Sequence, residues 1–232
     1  MTTVLLVRHG LTATTGQVLT GWTPGISLDE RGQAQARALA ARLAPVQLDA
    51  IITSPLDRCR QTAAAIADGR DGQRLETDDR VGECRYGDWT GKPLTELAKD
   101  PLWRVVQDHP SAVTFPGGES MRDVQHRAVA AVRAWNEVLG ADATYLICSH
   151  GDVIKAIVAD SLGLHLDQSQ RIYADPCSLA VIRYTELRPF LIRMNDTGGG
   201  VHDLIRGTSP VPEGDAVVGG GAGRADTADA RG

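Results

Sequence analysis

Residues 4–10 read VLLVRHG and residues 145–151 read YLICSHG, so two distant stretches each carry four apolar residues into a polar residue, a histidine and a glycine. Continuous apolar runs of this length suit strands buried on both faces, the pattern of central parallel strands. Residues 3–8, 48–53 and 143–149 fit it, and 178–184 and 189–194 are further short runs rich in Val, Ile and Leu. Between them lie segments with helical spacing. SLDERGQAQARALAARLA (27–44) opens with Ser27 and Glu30 in capping-box positions, and ESMRDVQHRAVAAVRAWNEVL (119–139) places Met121, Val124, Val132 and Trp135 on one stripe. Strands alternating with helices predict an α/β fold, a three-layer sandwich with a mostly parallel central sheet and helices on both faces. The last two runs are separated by only a few residues including Pro189, which predicts an antiparallel edge.

The chain has 232 residues, 42% of them hydrophobic, enough for one substantial core. Residues 1–205 are expected to form a single domain and 206–232, rich in Gly, Ala, Asp and Pro, a flexible tail. A net charge of −5 with scattered Lys and Arg argues against nucleic acid or an anionic membrane as the main partner. No apolar run approaches the roughly 18 residues of a membrane span, and the N-terminus has no signal-peptide pattern, so a cytoplasmic location is expected. Cys59, Cys84, Cys148 and Cys177 show no metal or disulfide spacing and read as reduced, mostly buried thiols.

In an open α/β sheet, ligands bind at the carboxyl ends of parallel strands, beside helix N-termini. His9 and His150 both fall there, each followed by a glycine that permits a tight turn. A third strand leaves at Ser54, and Arg58 falls in the first turn of the helix that follows Pro55. Two guanidiniums, Arg8 and Arg58, with two imidazoles describe a phosphate site, because arginine offers forked donors matched to phosphoryl oxygens. A metal bound by His9, His150 and Asp152 is the rival reading, disfavoured because Arg8 would repel a divalent cation. The C-x5-R spacing of Cys177 and Arg183 is a decoy. The residues between them read as a strand, which holds the pair about 20 Å apart at ~3.3 Å per residue.

VRHG, SPLDRCRQTA, ECRYGDWTG, PGGES and CSHG, in that order, resemble the histidine phosphatase superfamily, in its phosphoglycerate-mutase-like branch, over about residues 3 to 200. The resemblance implies that His9 is a nucleophile that becomes phosphohistidine, that Arg8, Arg58 and His150 bind phosphoryl oxygens, and that Glu83 is the general acid. It also brings Thr20 and Gly21 near the phosphate. No cofactor or metal is implied. Leu11 and Thr15 depart from the family pattern, and the segment between GDWTG and PGGES lacks the paired-arginine insertion of true mutases.

The expected function is therefore hydrolysis of a small phosphorylated metabolite. A phosphoglycerate mutase is the nearest alternative, and a non-catalytic phospholigand-binding module is one from another class. The sequence leaves the oligomeric state open, with a homodimer the assembly considered. His109, His126, His165 and His202 read as solvated or capping residues, and Glu119 and Ser120 as a helix start. Trp22, Tyr86 and Trp89 fit a pocket wall and a closed core equally well.

Overall fold

The computed structural model describes residues 1–198. The expected tail, 206–232, and the last residues of the expected domain lie outside them. Strands β1 (Thr2–Arg8), β2 (Ala50–Thr53), β3 (Leu75–Thr77), β4 (Thr144–Ser149), β5 (Leu179–Tyr184) and β6 (Pro189–Asp196) form one sheet in the order β3-β2-β4-β1-β5-β6. The four strands β3, β2, β4 and β1 are parallel to their neighbours, while β5 runs antiparallel to β1 and β6 antiparallel to β5. The helices are α1 (Glu30–Leu43), α2 (Asp57–Ala67), α3 (Leu94–Leu97), α4 (Pro101–Asp108), α5 (Met121–Leu139) and α6 (Gly151–Ser161).

The pleat of the central strands explains the three layers. Leu5 and Val7 of β1, with Leu146 and Cys148 of β4, pack with Leu39 of α1 and Ile66 of α2. Their alternates Val4, Leu6, Tyr145 and Ile147 belong to a second core with Val124 and Val132 of α5 and Ile154 and Ile157 of α6. A strand that feeds both cores must be apolar throughout, and this is why β1, β2 and β4 read as unbroken runs.

Local sequence sets the helix starts. Ser120 caps α5 by accepting from Asp123 N, and the Asp123 side chain returns the bond to Ser120, closing a capping box. Met121, Val124 and Val132 are buried along the expected stripe, with Trp135 half-buried at its edge. The capping box expected at Ser27 and Glu30 is not formed. Asp29 is the cap of α1, its carboxylate accepting from Gly32 N at 2.8 Å, because Glu30 is already inside the first turn. Strand β3 was not anticipated: it is a three-residue edge strand with Leu75 and Thr77 exposed, so it has little apolar signal. All four cysteines are buried and unbridged. Arg183 lies within β5, so Cys177 and Arg183 make no loop. Among the described residues no helix is long and apolar enough to cross a membrane.

Candidate active site

The parallel register of β1 and β4 pairs Thr3 with Thr144 through to Arg8 with Ser149, so the next residues, His9 and His150, emerge side by side. His9 N donates to Ser149 O at 3.0 Å, and the two imidazoles meet edge to face with centroids 5.2 Å apart. From β2, Ser54 N donates to Cys148 O, which delivers α2 and Arg58 to the same edge. Helices α2 and α6 both begin here, and the positive ends of their dipoles favour an anion.

The hydrogen bonds define one tautomer of His9. Nδ1 lies 2.7 Å from Gly10 O, a group that only accepts, so Nδ1 carries the proton. Nε2 receives Arg58 Nε–H at 3.3 Å and is therefore the lone-pair nitrogen. Burial, then the charges of Arg58 and Arg8, hold the His9 pKa well below the usual imidazole value, so the ring is neutral at physiological pH. A neutral imidazole with its Nε2 lone pair in a cationic cleft has the form a nucleophile needs.

Arg58 is shared between several acceptors. Its second terminal nitrogen donates to Gly21 O at 2.9 Å and lies 3.2 Å from His150 Nδ1. His150 Nε2 is 2.7 Å from Ser54 Oγ, so Nδ1 accepts from Arg58 and Nε2 donates to the hydroxyl. Its ring is 0% exposed and sits beneath the cleft surface. Arg8 is buried, with one terminal nitrogen donating to Ala174 O at 2.8 Å.

Glu83 faces these groups. Its Oε2 is 3.6 Å from His150 Nδ1 and its Oε1 accepts from Cys84 N at 2.9 Å. Burial and the neighbouring Asp152 carboxylate push its pKa up to about 7, against the pull of Arg58 and Arg8. A carboxyl that exchanges its proton near neutrality can serve as acid and then as base. Asp152, in the first turn of α6, is buried; its Oδ2 accepts from Tyr86 O–H at 2.9 Å and its Oδ1 is 4.0 Å from Lys155 Nζ.

A cleft opens over His9. Arg8, His9, Thr20, Gly21, Arg58 and Glu83, all expected from the sequence, line it, while His150 supports Arg58 and Glu83 from below. Gly21 has φ +49°, and a Cβ there would sit 3.0 Å from the Tyr86 ring. Of the three aromatics, Trp89 is core, Tyr86 is both core and cleft wall, and Trp22 donates to Glu83 O at 2.6 Å. Glu119 grips Arg127 at 2.7 Å. Sequence reasoning did not foresee roles for Ser54 or the Tyr86–Asp152 pair. An Asp152 two residues after His150, at the start of a largely apolar helix, was the available signal.

The family model for the histidine phosphatase superfamily (branch 1) matches residues 4–197. The chain belongs to the histidine phosphatase superfamily. Phosphoserine phosphatase 1 of Hydrogenobacter thermophilus is 30% identical over 213 residues, covering 85% of this chain and 93% of that protein. A probable phosphoglycerate mutase GpmB of Yersinia enterocolitica is 32% identical over 188 residues, covering 80% and 86%. Among solved structures, Bacillus stearothermophilus YhfR superposes with a TM-score of 0.78 at 30% identity, covering 84% of this chain and 98% of its own. This histidine phosphatase therefore shares nearly the whole described domain with its relatives, site-bearing sheet edge included.

Proposed function

We propose that the protein hydrolyses small phosphomonoesters through a phosphohistidine on His9. The observation that carries this reading is the neutral His9 with its Nε2 lone pair in the cleft, beside a Glu83 carboxyl whose pKa lies at about 7. The phosphoryl group sits against Arg8 and Arg58, whose charges offset its own. His9 Nε2 attacks phosphorus as the ester P–O bond breaks, and Glu83 passes its proton to the departing alcohol oxygen. The resulting carboxylate then takes a proton from water, the oxygen of which attacks phosphorus. Phosphate leaves, and His9 is again neutral with Nε2 unprotonated. Thr20 and Gly21 border the phosphoryl end, Gly21 by tying Arg58 through its carbonyl.

Every step uses only side chains of this chain, so activity is expected to persist in excess chelator. Mutase chemistry would need a phosphorylated acid to be held and turned over His9. The absence from the sequence of the paired-arginine insertion favours hydrolysis. The test is a rapid quench with labelled substrate: an acid-labile, base-stable adduct should form and should vanish in His9→Ala. Full turnover by His9→Ala would refute the mechanism. Small phosphorylated metabolites in the cytoplasm are the expected substrates.

A further inference from the structure

The cleft lining has two chemically different sets of residues. One is His9, Glu83 and the guanidiniums of Arg8 and Arg58; the other is the aliphatic side chains of Val18, Leu19 and Leu94 with the hydroxyl-bearing Thr12 and Thr15. The aliphatic set comes from two segments laced together. Val18 and Pro93 form an antiparallel bridge, Leu19 N donates to Lys92 O at 3.0 Å, and Leu94 N donates to Gln17 O at 2.9 Å.

The cations of the cleft are held among the catalytic groups, Arg8 by Ala174 O and Arg58 by His9, His150 and Gly21 O. Arg85, close to Glu83 in sequence, is stacked on the Trp22 ring at 3.8 Å. Arg127 is held by Glu119 and by Glu83 O. The group attached to the phosphate is thus met by aliphatic side chains and two hydroxyls that already bond one another at 2.8 Å.

We infer that this site selects the phosphate monoester of a small, uncharged, partly apolar alcohol over that of an amino acid or hydroxy acid. The inference rests on the cleft being a phosphomonoesterase site. A carboxylate carried between Val18 and Leu94 would lose its water against methyl groups, whereas an alkyl or aryl group gains by leaving water there. The threonine hydroxyls suit an alcohol or ether oxygen on the same group.

The experiment compares kcat/KM for n-butyl phosphate with O-phosphoserine and 3-phosphoglycerate, which all release an alkoxide, so that the alcohol part is what differs. Butyl phosphate should be preferred by about tenfold or more, the scale on which apolar pockets discriminate. Leu94→Lys should move that ratio toward the two acids by introducing a cation where they would lie. Equal or better turnover of O-phosphoserine or 3-phosphoglycerate by the unaltered protein overturns the inference. So does an unchanged ratio in Leu94→Lys when circular dichroism and thermal unfolding show the variant folded. If no ester is turned over and no phosphohistidine forms, the hydrolase reading itself falls, and this inference with it.

Discussion

Glu83→Gln should make the protein more stable and less active, and the gain should exist only on the alkaline side. The Glu83 carboxyl is buried, and its pKa stands at about 7 instead of 4.5. Below about pH 4.5 it is protonated in both folded and unfolded chains and no difference arises. Between there and pH 7 the folded protein keeps a proton that the unfolded chain has released, so stability falls as pH rises through this window. At about 1.36 kcal/mol per unit, the cost on reaching pH 8 is on the order of 3 kcal/mol. Glutamine keeps the shape without the ionisation and escapes that cost. For a domain of this size each kcal/mol moves Tm by roughly 2–4 °C. Thermal unfolding of the two proteins should therefore nearly coincide at about pH 4 and separate by several degrees at about pH 8, with the variant higher. In the same variant, single-turnover phosphorylation by an alkyl phosphate should drop by about 10²- to 10⁴-fold. In the unaltered protein that rate should halve at about pH 7, with roughly a tenth of the acid form left one unit higher. A Tm difference of the same sign and size at both pH values would refute the reasoning, because the effect would then be packing and not ionisation.

Arg58→Lys keeps the charge but loses the fork that reaches His9, His150 and Gly21 O, and should cost about 10²-fold or more in kcat. Asp152→Asn removes a charge that holds the Glu83 pKa up, so the alkaline limb of the alkyl phosphate profile should move to lower pH. Tyr86→Phe, which deletes only the hydrogen bond to Asp152, should not move it lower. Gly32→Ala would place a Cβ 2.0 Å from Leu11 O, and urea unfolding should show a loss of about 1–3 kcal/mol.

Much of the sheet was legible because β1, β2 and β4 serve two cores and so carry unbroken apolar runs, a signal that β3 at the edge, with Leu75 exposed, does not have. The start of α1 misled because Ser27 and Asp29 are both good caps, and only tertiary placement distinguishes them. At the site, Arg8 and His9 stood out at a strand end and Arg58 in the first turn of the helix after another strand, whereas Glu83 ends no strand and was legible only through the family motif. The Tyr86–Asp152 bond spans 66 positions and the Ser54–His150 bond 96, and no local pattern announces either. The Val18–Pro93 bridge that brings the Leu94 segment to the cleft spans 75 positions and is equally silent in the local sequence.

The pairing of β1 with β4 makes catalytic output a reporter of assembly. A one-residue slip would offset His9 from His150 by about 3.3 Å and turn alternate side chains to the wrong face. Misregistered chains would still bury apolar surface and look folded by circular dichroism, yet have no working pair of histidines. Recovery of phosphatase activity during refolding should therefore lag the recovery of secondary structure and coincide with the step that locks Leu6 opposite Ile147. Volume changes at those two buried positions should appear first as a lower yield of active molecules, before any change in the turnover of each one.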